Sequence, residues 1–393
     1  MSHARRLRVG FITYALDRPL TGIGRYTLEL ARAFESLAHE IEIVLLLAGD
    51  LGALVGTSLE HVTLPGCARL PGLLSLGHGL LPMMARRMKL DIIHDPTAMT
   101  PMLLGANGAR IISTVHDIIP ITYPHNSSIL DTLIYTRWLP YKLPRIDAVI
   151  TVSDFSKRDI AAHWRIAPER IHVIDNGARA DFRPIPLDAA RALLQRDFRI
   201  DSRYVLYVGN LTKRKNIELG LRGFAQVHTQ FPDVRFVVVG PSTFQQSPVG
   251  AIAQSLGIAD KVIITGSVPD SALPAFYSAA DVFAFPSFYE GFGLPVLEAM
   301  ACGAPVIAAD ATSLPALVGD AGLLIDPHRV EDMAAALTRV LSDAPLRRDL
   351  RERGIRRAAA FTWERCARQT IDVYRAIDAA RRRQHERIPQ PRG

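Results

Sequence analysis

Short apolar runs recur along the chain, and between them lie stretches in which apolar positions return every three or four residues. The runs are expected to be strands buried on both faces, and the intervening stretches helices that cover them. In the first half, strands are expected at Leu7–Ile12, Ile41–Leu47, Asp91–His94, Arg110–Val115, Ala148–Val152 and Ile171–Ile174. In the second half they are expected at Tyr204–Val208, Arg235–Val239, Val262–Thr265, Val282–Phe285, Pro305–Ala308 and Gly322–Ile325. This alternation predicts an α/β fold built from two doubly wound parallel sheets. The two prolines of Asp181–Leu187 interrupt the pattern and mark the expected linker. A helical pattern from Trp363 to about Ala380 either continues the second domain or crosses back to the first, and the charged tail from Arg381 is expected to fray. The expected division is 1–183, 184–362 and a C-terminal segment 363–393.

Composition changes this picture little. A chain of 393 residues with 48% hydrophobic and 22% charged residues suits two ordinary globular domains. Cys67, Cys302 and Cys366 are far apart, without zinc or redox spacing, and read as buried reduced thiols. The N-terminus runs directly into a strand and lacks the apolar core and cleavage site of a signal peptide, so a cytoplasmic protein is expected. The net charge of +7 favours a phosphorylated substrate, an anionic surface or nucleic acid. Aromatic residues do not interleave the basic clusters, which argues against nucleic acid. The arginines from Arg347 to Arg357 and Arg381–Arg383 read as solvated helix faces.

Candidate chemistry sits at the carboxyl ends of the expected strands, where open parallel sheets bind ligands. After Val282–Phe285 comes a turn with Glu290, Gly291 and Gly293, then a helix that Pro295 opens and Gly303 and Pro305 stop. The amides of Gly293, Leu294 and Val296 are expected to point out of that helix terminus, where the peptide dipoles favour an anion such as a diphosphate. Glu298, read into the first turn, suits the vicinal hydroxyls of a ribose, and Glu290 is left to face another part of the ligand. The plain alternative is that Glu298 only complements the helix dipole.

After Tyr204–Val208, the cations Lys213, Arg214 and Lys215 precede a helix whose dipole is positive at that end. An anion would resolve the conflict, so Lys215 with Arg214 is the candidate diphosphate site; a solvated basic loop is the alternative. Gly22 and Gly24 are expected to make a tight turn at another helix terminus, although the third glycine of a dinucleotide fingerprint is absent. His116 follows Arg110–Val115 and either serves as an acid, base or hydroxyl ligand or caps the strand end. Ser153 or Asp154 is expected to cap a helix. No Asp-x-Asp occurs, so no metal-bound diphosphate is expected, and no cofactor.

The run Glu290-Gly-Phe-Gly-Leu-Pro-Val-Leu-Glu298-Ala-Met-Ala-Cys-Gly-Ala-Pro resembles the Glu-x7-Glu signature of the group 1, family four retaining glycosyltransferases. The resemblance covers most of the chain, because Gly22-Ile-Gly24, Val115-His-Asp117, Ser153-x-x-Ser156, Asn176-Gly177 and Arg214-Lys-Asn216 follow in the family's order. It implies the GT-B fold: two Rossmann-like domains facing across a cleft, an acceptor-binding N-terminal one and a nucleotide-sugar-binding C-terminal one, with the last helix crossing back to the first.

It further implies that Glu298 binds the ribose diol, Glu290 binds hydroxyls of the donor sugar, and Lys215 with Arg214 contacts the diphosphate. The loop Gly291, Phe292, Gly293 and Leu294 completes the donor site, Gly22 and Gly24 face it from the first domain, and His116 lies near the donor sugar. Asn210 stands where many members have Arg, which shifts the second cation to Arg214. The implied activity is metal-independent hexose transfer with retention, with GDP-mannose the favoured donor. The implied acceptor is a glycan or polyprenyl-diphosphate-linked glycan of bacterial surface polysaccharide assembly, at the inner face of the cell membrane. The segment Leu70–Met84, followed by Arg86, Arg87 and Lys89, reads as either an apolar-basic surface for an anionic membrane or a buried helix with a basic end. The competing readings are a nucleotide-sugar epimerase of the same fold and a nucleotide-sugar-binding protein without turnover.

Overall fold

Val9, Phe11 and Ile12 in the first strand and Val205, Leu206 and Tyr207 in the eighth are fully shielded from solvent although neighbours point to opposite faces. Strands of this kind need helices on both sides, and parallel pairing with helical crossovers supplies them. The computed structural model describes residues 5–14, 16, 20–99, 105–241 and 248–386. Contacts divide the chain into two compact units, Met1–Gly177 with Trp363–Gly393, and Ala178–Thr362.

The first unit holds β1 (Arg8–Thr13), β2 (Glu42–Leu47), β3 (Glu60–Thr63), β4 (Ile92–Asp95), β5 (Arg110–Thr114), β6 (Ala148–Thr151) and β7 (Ile171–Val173). They form one parallel sheet in the order β3-β2-β1-β4-β5-β6-β7. The C-terminal helix Trp363–Glu386 belongs to this unit and packs on the helix Gly22–Ser36. Its Tyr374 reaches His94 Nδ1 at 2.6 Å, and Arg368 and Arg375 pair with Glu40. The helix continues past Ala380 to Glu386, and residues 387–393 of the expected frayed tail lie outside the described residues.

The second unit holds β8 (Arg203–Val208), β9 (Val234–Val239), β10 (Val262–Gly266), β11 (Val282–Phe285), β12 (Val306–Ala309) and β13 (Gly322–Ile325). Their order is β10-β9-β8-β11-β12-β13, again all parallel. Strand order reverses between β8 and β11, so the loops that follow these two strands diverge from a shared crevice. Gly240, just past β9, cannot carry a side chain: a Cβ there would lie 2.3 Å from the carbonyl oxygen of Gly209, which follows β8. The segment Asp181–Leu187 lies inside this unit, where Phe182 is buried and Arg179 pairs with Asp181 and Asp270.

The arginines of the helix Ala344–Ala358 are not a solvated face throughout. Arg347 donates to the carbonyls of Val340 and Leu341, Arg351 to Ser278, and Arg357 to Ala316 and Leu317. Their guanidiniums satisfy carbonyls near the C-terminal ends of neighbouring helices. Among the described residues no helix is long and apolar enough to cross a membrane.

Candidate functional site

The crevice between β8 and β11 gathers two cations and a carboxylate. Beyond β8 the chain makes a single 3-10 turn, Lys213–Lys215, and Asn216 enters the left-handed region (φ 53°) before the helix Ile217–Val227. Asn216 Nδ2 donates to the carbonyls of Pro286 at 3.1 Å and Pro327 at 2.8 Å, tying this turn to the loops after β11 and β13. Lys215 is thereby held inward and buried. Its Nζ donates to Glu290 Oε1 at 2.6 Å and lies 4.8 Å from the Phe285 ring centroid, a cation–π distance. Arg214 Nη1 donates to the same Oε1 at 3.0 Å and to the Tyr289 carbonyl, and Ser287 Oγ donates to Oε1 at 2.6 Å.

The backbone around Glu290 is equally fixed. Its N–H donates to Thr312 Oγ1 at 3.0 Å, and Ser313 Oγ lies 2.9 Å from the Glu290 carbonyl and 3.0 Å from that of Phe292. Burial raises the pKa of the Glu290 carboxyl, but Lys215 and Arg214 outweigh it and hold the group below the usual carboxylate range. Two cations against one carboxylate leave the cluster net positive, and its three donors converge on one oxygen. Such a group can exchange its carboxylate partner for an incoming anion.

Two expectations about the helix after this loop need correction. The helix spans Leu294–Ala301, so Glu298 is its fifth residue, beyond the first turn. It is buried, with Oε2 3.4 Å from Tyr277 Oη. The Val296 amide is not free for a ligand, since it donates to the Gly293 carbonyl at 2.9 Å, leaving Leu294 as the first-turn amide without an intrahelical acceptor. Gly293 caps the helix at φ 106°, and a Cβ there would lie 2.7 Å from Leu314 Cδ2, so only glycine fits. Gly291 and Phe292 complete the loop, with Phe292 buried.

Of the residues singled out in the first unit, Gly22 and Gly24 do not form the expected tight turn. They lie within the first turn of the helix Gly22–Ser36, capped by Thr21, whose Oγ1 accepts from the Gly24 amide at 3.3 Å. A Cβ at Gly22 would meet nothing within 4 Å, so its surface is open. His116 lies just past β5, buried, with the Tyr26 ring edge-on at 4.7 Å. Its Nε2–H donates to the Pro96 carbonyl at 3.0 Å, which leaves Nδ1 as an acceptor. Burial drives its pKa down to about 4, so the ring is neutral near pH 7. Ser153 is the N-cap of Asp154–Trp164, accepting from the Ser156 amide at 3.1 Å.

The segment Leu70–Met84 lies in the helix Leu70–Arg87, with Leu73, Leu81 and Met84 buried and Leu76 and Met83 exposed. The side chains of residues 70–72 lie outside the described residues. Among the described residues no group of three or more His, Cys, Asp or Glu side chains is placed to hold a metal ion.

Sequence reasoning missed Thr312 and Ser313 and gave no role to Ser287 or to Asn216, which it met only within the Arg214-Lys-Asn216 motif. Thr312 and Ser313 follow β12, the neighbour of β11, and Thr312 has φ 57°. Reading every strand's carboxyl end, and not only those rich in charge or glycine, would have found them.

Two family models match the chain: "Glycosyltransferase Family 4" over residues 20–182 and "Glycosyl transferases group 1" over residues 194–357. The O-antigen chain mannosyltransferase B of Escherichia coli is 33% identical over 390 residues, covering 94% of this chain and 100% of that protein. The sucrose-phosphate synthase of Thermosynechococcus elongatus superposes with a TM-score of 0.76 at 24% identity, over 95% of this chain and 100% of that one. Anabaena Alr3699/HepE, solved in complex with UDP and glucose, gives a TM-score of 0.73 at 19% identity, over 94% and 100%.

Proposed function

The chain belongs to the group 1, family four glycosyltransferases of GT-B fold, and from that premise we propose that it moves mannose from GDP-mannose, with retention, onto a glycan or polyprenyl-diphosphate-linked acceptor of surface polysaccharide. The observation that carries the reading is the net-positive Lys215–Arg214–Glu290 cluster at the switch point of the second sheet. The Escherichia coli relative, a mannosyltransferase of the O-antigen chain, supports mannose and a surface glycan.

In the proposed reaction the diphosphate departs with the electron pair of the bond to the sugar's anomeric carbon. The acceptor hydroxyl oxygen bonds to that carbon from the same face, and its proton passes to the departing phosphate oxygen. Lys215 and Arg214 turn from Glu290 to the diphosphate and offset the charge that develops there, with no metal needed. Glu290 Oε2, which takes none of the three donors gathered on Oε1, is assigned to the sugar hydroxyls. Glu298 is assigned to the ribose, and the loop Gly291–Leu294 to the diphosphate. From the first unit Gly22, Gly24 and His116 serve the reaction, His116 accepting through Nδ1 a hydrogen bond from a hydroxyl of the sugar.

The enzyme works in the cytoplasm at the inner face of the membrane. Exposed Leu76 and Met83 and a neighbouring cavity of about 690 Å³ lined by His78, Pro82, Met83, Arg86, Arg87 and Asn107 suit an anionic lipid-linked acceptor.

A thermal-shift screen against GDP, UDP, dTDP, ADP and their common sugars tests the donor. GDP and GDP-mannose should raise Tm most, since a ligand at a hundred times its Kd stabilises the native state by about 2.7 kcal/mol. A larger rise with another nucleotide overturns the choice of base.

A further inference from the structure

Lys142 and Asp95 form an ion pair with no side-chain exposure at all, and the proposed chemistry does not use it. Lys142 Nζ donates to Asp95 Oδ2 at 2.6 Å and to the Ala98 carbonyl at 3.0 Å. Asp95 Oδ1 accepts from the Thr97 amide at 3.0 Å and the Thr97 hydroxyl at 2.9 Å. Every residue from Asp95 to Ala98 is therefore gripped at the carboxyl end of β4, except Pro96, which has no N–H to give. Ala98 is held at φ 60°, a conformation that a residue with a Cβ rarely adopts unless its surroundings impose it. Burying two charges gains little stability over an apolar pair, so this one is better explained by the geometry it enforces.

That geometry ends on His116. The Pro96 carbonyl of the gripped turn takes the Nε2–H of His116 at 3.0 Å, while the Tyr26 ring packs in an edge arrangement against the imidazole, with ring centroids 4.7 Å apart. A carbonyl only accepts, so a ring fixed against it must carry its proton on Nε2 and present a bare Nδ1.

We propose that Lys142 is a positioning residue: with Asp95 it sets the Pro96 carbonyl that locks His116 in the Nε2–H tautomer, so that Nδ1 is always ready to accept. The inference rests on the reading of His116 as a group that serves sugar transfer. Burial lowers the Lys142 pKa and Asp95 only partly offsets this, which marks the pair as costly to keep.

The test is ¹⁵N NMR of the full chain labelled on histidine, with His116→Gln identifying the signal, together with steady-state kinetics. The wild type should show the Nε2–H form of His116 alone. Lys142→Met leaves Asp95 charged and buried, so Lys142→Met/Asp95→Asn, which removes both charges at nearly constant volume, guards against loss of the fold. In the folded variant the His116 signals should shift to a mixture of tautomers. In parallel, kcat should fall at least tenfold with the Kd for GDP unchanged. A wild-type ring that is already a mixture overturns the proposal. So does a folded variant that keeps the Nε2–H form alone, or one that keeps its kcat. The ring signals are read without substrate, so they decide the positioning even if the wild type transfers no sugar, a result that would count against the functional reading instead.

Discussion

Glu290 shows how much one oxygen can organise. Three donors from two loops meet on Oε1, so the carboxylate neutralises cations that would otherwise repel one another and aims them at one point. His116 in the first unit is the opposite case, a titratable ring kept neutral by burial. Its folded pKa of about 4 lies below the ordinary 6.5, so as pH falls the unfolded chain takes up the proton first. The stability tied to the neutral ring is thus complete above about pH 6.5 and is lost progressively down to about 4. At about 1.4 kcal/mol per pH unit, the loss amounts to roughly 3 kcal/mol. The urea midpoint should fall between pH 7 and 4, and less steeply in His116→Gln; equal slopes in the two proteins would exclude this. Lys215, Glu290 and His116 were each legible in the sequence as charged or titratable groups at strand ends. The Lys215–Glu290 contact was not, because it depends on β8 and β11 being neighbours, and strand order is not written in periodicity. Ser287 and Thr312 were passed over because a hydroxyl carries no signal until its partner is known.

Among the elements, the strands were the most legible, because short apolar runs between helical stretches have few other uses in a doubly wound fold. β3 was missed: Glu60, His61 and Thr63 are polar and the strand is at the edge of its sheet, where burial does not demand apolar residues. Pro295 located its helix, but the helix begins one residue earlier, at Leu294, and that moved Glu298 out of the first turn. The C-terminal helix had two readings in sequence, and its buried polar contacts select one. His94 bonds Tyr374 at 2.6 Å and Thr114 at 2.8 Å, and burial drives its pKa down to about 3. The ring is therefore neutral, with one nitrogen donating and the other accepting. Tyr374→Phe leaves a buried ring nitrogen without a partner and should cost about 1–3 kcal/mol, seen as a lower urea midpoint. An unchanged midpoint would mean that this bond does not hold the helix to its unit.

At the scale of the whole molecule, two sheets with the same reversal of strand order each present loops at a switch point, and the candidate groups divide between them: Lys215, Arg214 and Glu290 in the second unit, His116 and the Asp95–Lys142 pair in the first. The expected solvated face of Ala344–Ala358 holds only in part, since Arg347, Arg351 and Arg357 satisfy carbonyls within their own unit. The central claim is that the Lys215–Glu290 cluster drives transfer to an acceptor. Its most direct test is GDP release from GDP-mannose with and without a polyprenyl-diphosphate-linked glycan, for the wild type, Lys215→Ala and Glu290→Ala. Transfer predicts GDP and a mannosylated product only when acceptor is present, and a fall in kcat of roughly 10²–10³ in each variant, the scale of losing one charge-stabilising group. Conversion of the donor sugar without acceptor, or wild-type turnover in either variant, would contradict it.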